Sequence, residues 1–261
     1  MKRIIAILLV VVMVAFTFVS CDDAEGGGKG VDPAKLFDDA REALLESSFA
    51  AEVSFDFECD NSVLESNLAV FSLIRLDAVY DEGDMYMCVH LVGNSAELTL
   101  VDGTAYASYN LTDYGSGKVK LDLDDGMLDG FMGETDGVAQ MKASDFSDIS
   151  YKRSNGAYVI TCKGISEEMF EGINEGLGAV AEQIGDFAIN DFKYVVTVKG
   201  NKIIKEDIVF DFVMLTEEGE VSITMTVSTE YDYDADVNIT APADADSYLS
   251  YDEAFGDMSS F

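Results

Sequence analysis

The sequence predicts an α+β fold: a mainly antiparallel, strongly curved sheet (a half-barrel) with an N-terminal helix and two mid-chain helical segments on its concave face. Three observations predict it. From Val221 to Thr240 every even position is polar, and every odd position is apolar or aromatic except Thr229. Strand side chains alternate faces, so this parity gives one dry and one wet face. Asp102-Gly103 and Asn155-Gly156 each separate two short β-type runs, a strong two-residue hairpin signal. Helical spacing occurs after Asp32-Pro33 and again after Ser166, each residue a good cap.

A straight strand from Val221 to Thr240 would span about 66 Å at about 3.3 Å per residue. The run is therefore expected to bend or to break into two strands, with the acidic Glu230 to Asp236 as the corner.

The chain opens with Lys2 and Arg3, then Ile4 to Val19, apolar apart from Thr17, then Ser20 and Cys21. This has the shape of a secretory h-region and is short for a membrane span. Phe18-Val19-Ser20-Cys21 resembles the lipobox of bacterial lipoproteins, with Phe18 where Leu is usual. The resemblance implies a signal peptide over 1–20, acylation of Cys21 and an extracytoplasmic, lipid-anchored protein. Residues 21–31 then read as a flexible Gly-rich linker, with ten such residues spanning about 16–19 Å. Residues 32–249 form the sheet domain, and 250–261 a loose C-terminal tail.

Formal net charge is −34 at pH 7, and the first twenty residues carry no acid. Such charge excludes nucleic acid as a partner and disfavours attraction to anionic lipid heads. An apolar fraction of 48% excludes a disordered acidic tail. The acidity reads as a solvated, self-repelling surface. Besides Cys21 there are three cysteines, Cys59, Cys88 and Cys162, which cannot all pair within one chain. Free packed thiols are the simplest reading, and one disulfide stays open.

The elements follow in order. Leu36, Phe37, Ala40, Ala43 and Leu44 give the first helix, ended by Ser47-Ser48. Phe49 to Asp60 alternates as a strand, and Leu68 to Tyr80 reads as another, turning at Asp81 to Asp84. Met85 to Val92 is apolar on both faces and reads as a central or doubly covered strand. Ala96 to Val101, Thr104 to Tyr109 and Lys118 to Leu123 continue the sheet. Met127, Leu128, Phe131 and Met132 suggest a short helix weakened by Gly126, Gly130 and Gly133. Strands return over Tyr151 to Thr161. The helix after Ser166 carries Met169, Phe170, Ile173, Leu177, Val180, Ala181 and Ile184. Phe192 to Val198 turns at Gly200-Asn201 into Ile203 to Leu215, where Ile208, Phe210, Phe212 and Met214 share a face. A split into two smaller sheets near Asp145 is the alternative.

This layout resembles the LolA/LppX-like lipoproteins. The local matches are Val101-Asp102-Gly103-Thr104-Ala105-Tyr106 and Ile239-Thr240-Ala241-Pro242-Ala243-Asp244-Ala245. The resemblance covers Asp32 to Tyr248 and implies an unclosed barrel with helices across its mouth and an apolar cavity for acyl chains. It carries no catalytic motif. The chain departs from it in its acidity and its Gly-laden middle segment.

The residues supply little chemistry. His90, the single histidine, shares a face with Tyr86 and Cys88 and reads as packed or at an edge. Hydrolase, zinc-protease, redox and phosphate-loop signatures are absent from the sequence. Asp232, Asp234 and Asp236 begin like a calcium loop, but Val237 and Ala243 stand where Gly and Glu are needed. Neither metal nor cofactor is expected, and no enzyme. The candidate apolar cavity is lined by Phe55, Phe57, Met127, Phe131, Met132, Met169, Phe170, Ile173, Leu177, Phe210, Phe212 and Met225, adaptable side chains that suit varied apolar ligands. Its ligand would be a lipid or another apolar molecule. The alternative is a packed core in a lipoprotein that binds envelope proteins. Under the first reading Met127 to Met132 is a mobile flap; under the second its glycines serve close packing.

Overall fold

The computed structural model describes residues 31–61, 64–65, 68–81, 83–112, 115–123, 141–166, 187–216, 219–250 and 253–254. The segment expected to be a signal peptide, Cys21, the Met127–Met132 segment and the helix expected after Ser166 lie outside the described residues, as does most of the tail.

One helix, α1 (Pro33–Leu45), precedes β1 (Phe49–Cys59), β2 (Arg75–Asp81), β3 (Asp84–Leu91), β4 (Asn94–Val101), β5 (Thr104–Leu111) and β6 (Gly115–Asp122). Then come β7 (Phe146–Ser154), β8 (Ala157–Ile165), β9 (Phe187–Lys199), β10 (Lys202–Thr216), β11 (Gly219–Asp232) and the short β12 (Leu249–Ser250). All twelve strands join one unclosed sheet in the order β12-β6-β5-β4-β3-β2-β1-β11-β10-β9-β8-β7. Pairing is antiparallel between chain neighbours and parallel at β12–β6. Phe49 packs on Tyr231 while the Asp60 N–H donates to the Ser222 carbonyl, so β1 and β11 run in opposite directions.

The chain divides into two compact units. The first holds α1, β1 from Phe55 onward, β7 to β10, and β11 up to Glu230. Asp32 caps α1 by accepting the Ala34 N–H at 3.0 Å, with Pro33 at the first helical position. Phe37, Ala40 and Leu44 are buried on one helical stripe. Phe37 stands edge-on to both Phe146 and Tyr194, and Phe192 packs edge-on to Phe210 at 5.2 Å. These contacts fill the sheet face beneath α1. The β9–β10 register shifts between Ile203 and Lys205, and again between Asp211 and Phe212. A bulge adds one residue to one strand, so the inward parity changes across it. Ile203 and Glu206 are therefore both buried, with Ile204 and Lys205 between them half-buried.

The second unit holds the start of β1, β2 to β6, β12 and the segment after Tyr231. Asp102 (φ 49°) and Gly103 (φ 74°) both take left-handed backbone, which makes the β4–β5 connection the tight hairpin that the sequence predicts. One face of this unit buries Val53, Leu76, Met85, Met87, Val89 and Leu100. The other carries Glu52, Asp77, Cys88, Glu97, Ser108 and Lys118 as one cross-strand row. β3 lies between β2 and β4 and buries Cys88 as well as Met87 and Val89, as its two apolar faces predict.

Three expectations need correction. Leu68 to Tyr80 is not one strand: Phe71–Leu73 is a 3₁₀ turn and β2 begins at Arg75. The stretch before Arg75 is apolar without alternation, and Val70 and Leu73 are exposed. The long run breaks in its acidic piece, but no second strand follows Asp232 up to Pro242, although alternate burial continues to Thr240. Met225, expected to be buried, is half-buried like its neighbour Thr226.

Candidate functional site

Five of the predicted cavity residues are described, and all five fall in the first unit. Phe210 pairs directly with Met225, and Phe212 with Ile223. The Asp60–Ser222 hydrogen bond, carried three residues back along the antiparallel pair, sets Phe57 level with Met225. Phe55 and Phe210 are buried, at 4% and 5% exposure. Phe57, Phe212 and Met225 are only half-buried. Phe57 has Phe71 at 6.0 Å between ring centroids. The structure thus brings these residues onto neighbouring strands, with one part filled and one part incompletely covered. Met127, Phe131, Met132, Met169, Phe170, Ile173 and Leu177 lie outside the described residues.

A buried polar cluster lies beneath α1. The Arg41 guanidinium donates to the Tyr194 hydroxyl and to Glu206 Oε1, each at 3.1 Å, and Tyr194 donates to the same carboxylate. Arg41 is 6% exposed, Glu206 1% and Tyr194 0%. Burial holds the Tyr194 phenol well above its ordinary pKa. The cluster fixes α1 to β9 and β10. Its signals were in the sequence: Arg41 sits on the apolar stripe between Phe37 and Leu44, and Glu206 shares the parity of Ile208 and Phe210.

His90 is half exposed, at the edge of a polar face. Its Nε2 lies 3.3 Å from Asp77 Oδ2, and its Nδ1 4.0 Å from Cys88 Sγ. The order of groups is that of a thiol nucleophile, base and orienting carboxylate. Burial, however, pushes the Cys88 thiol up, and a protonated thiol is not an activated nucleophile. Cys59, Cys88 and Cys162 are all free; Cys59 is half-buried and the other two are buried. Asp232 accepts the Asp234 N–H at 2.9 Å, a local turn. Among the described residues no cluster of His, Cys, Asp or Glu has the form of a metal site. No helix among them is long and apolar enough to cross a membrane.

Sequence reasoning missed a cleft of about 610 Å³ in the second unit. Its floor is two cross-strand rows, Ser95–Asn110–Ser116 and Glu97–Ser108–Lys118. Thr240 to Asp244 and Tyr248 wall it, held by the ion pair between Lys118 and Asp244 and by Tyr248 standing edge-on to Tyr106. Matched against protein-family models and curated proteins, the chain finds no counterpart in either.

Proposed function

We propose that this chain is an extracytoplasmic lipoprotein of the LolA/LppX-like kind, tethered to the bacterial membrane through acylated Cys21. In this reading it binds a lipid or other apolar molecule, with no catalytic role. The sheet curves as a half-barrel, and the mid-chain segments carrying Met127, Phe131, Met132, Met169, Phe170, Ile173 and Leu177 cross its concave face. The observation that supports the reading is the half-buried apolar patch Phe57, Met225 and Phe212, continuous with buried Phe55 and Phe210 on neighbouring strands. Apolar surface left partly uncovered marks a place where another apolar group gains by docking. The lipobox supports the anchor, and two or more acyl chains make it stable.

The packed-core alternative draws on a different observation. The Phe37, Phe146, Phe192, Tyr194 and Phe210 rings fill the face beneath α1 and leave it to envelope-protein contacts on the outer surface. Native mass spectrometry of the purified chain, before and after organic extraction, separates the two. Co-purifying lipid that is lost in Phe212→Asp supports the binding role. A ligand-free protein, with hydrogen exchange over β10 and β11 unchanged by added phospholipid or free fatty acid, overturns it. Retention of a radioactive fatty acid label in Cys21→Ala overturns the anchor.

A further inference from the structure

We propose that the cleft of the second unit is a binding site for a neutral, polyhydroxylated ligand, a saccharide. The floor is built of small groups that both donate and accept: the Ser95, Thr99, Ser108 and Ser116 hydroxyls and the Asn110 amide. Among the described residues, the side chains of Ser95, Thr99, Asn110 and Ser116 have no hydrogen-bond partner. Thr99 is only 7% exposed. A buried hydroxyl left without a partner is uncommon and calls for an acceptor or donor from outside the chain.

Charge narrows the ligand. Lys118 and Asp244 neutralise each other at the cleft wall, leaving Glu97, whose Oε2 accepts weakly from Ser108 at 3.5 Å. An anion would meet Glu97, Asp244 and a chain of net charge −34. A cation would find Glu97 as its single counter-charge and leave the hydrogens of the Asn110 amide without an acceptor. An apolar ligand would strip water from four polar side chains and replace none of its bonds, leaving buried groups unsatisfied. Hydroxyl groups of a ligand replace that water bond for bond, and Tyr86 and Tyr248 add ring surface at the sides. The volume falls within the range of about 300–1,000 Å³ usual for small-molecule sites.

The test uses the full chain and a panel of neutral tetrasaccharides built from glucose, mannose or N-acetylglucosamine, read by saturation-transfer NMR and titration calorimetry. At least one is expected to bind with an affinity that does not change between low and high salt. Asn110→Ala and the near-isosteric Thr99→Val should each weaken it about tenfold, the equivalent of one hydrogen bond, with the thermal midpoint of Asn110→Ala unchanged. Absence of binding by every sugar at 10-millimolar order, about the weakest affinity of interest, overturns the proposal. So does binding untouched by both variants, or preferential binding of spermidine that falls with salt. Lipid binding at Phe212 is scored separately, so the two readings fail independently.

Discussion

The two units place charge in opposite ways. Beneath α1 the first buries a guanidinium, a phenol and a carboxylate in mutual contact. The second lays its charges across an open strand face, where Arg75 and Glu52 are 3.6 Å apart and at least half exposed. Both arrangements count as ion pairs, yet water decides what each does. Buried charges that lose a partner have nowhere to turn, whereas exposed ones return to solvent. The first unit is therefore brittle and specific at its charged positions, and the second is tolerant there. Tolerance leaves the wet face of the second unit open to ligands.

The largest effect expected from breaking this contrast is at Arg41. Arg41→Met strands Glu206 in the core and should lower stability by about 3–5 kcal/mol in urea denaturation. The triple change Arg41→Met, Tyr194→Phe and Glu206→Met should recover most of that loss, because no polar group then remains unpartnered. A triple variant as unstable as the single one would show that the cluster contributes more than mutual satisfaction.

A smaller effect concerns the thiols. Burial, with Asp38 and Asp148 adding to it, pushes Cys162 from 9.0 up to about 12. At pH 8 that lowers its thiolate population about a thousandfold. Iodoacetamide should therefore modify half-buried Cys59 first and leave Cys162 until the protein unfolds, as peptide mapping would show. The folded thiol holds its proton more tightly, so its stabilising contribution is complete below pH 9 and is lost as pH rises toward 12. Rising stability over that window, measured in Cys162 wild type against Cys162→Ala, would contradict the assignment.

The smallest effect sharpens the comparison from the other side. Arg75→Ala removes the exposed pair with Glu52 and should cost no more than about 0.5 kcal/mol, further reduced by added salt. A loss as large as that of Arg41→Met would erase the distinction between the units.

Much of the second unit was legible because its turns are chemical statements. Asp102-Gly103 can take left-handed backbone at two successive residues, and few other pairs can. The helix start at Asp32-Pro33 was legible for the same reason. Glu206 was legible only in part: it shares the parity of Ile208 and Phe210, but the shift in register at Ile203–Lys205 interrupts the period-two pattern before it. The cleft was hidden in another way. Ser95, Asn110 and Ser116 are unremarkable polar residues in sequence, and only strand register sets them in a row. Alternation alone misled after Asp232, where the side chains keep their two faces without a partner strand.

The irregularity at Ile204 has a further consequence. Lys205, Glu206 and Asp207 are consecutive, and a strand can turn only one parity of them inward. With the extra residue, Glu206 goes in to meet Arg41, while Lys205 and Asp207 stay outside, 3.3 Å from each other. Without it the frame upstream would carry Lys205 and Asp207 toward the core. That single inserted residue acts as a phase setting for the strand: it selects which member of a charged triplet the interior receives, and so which sign of charge α1 must carry.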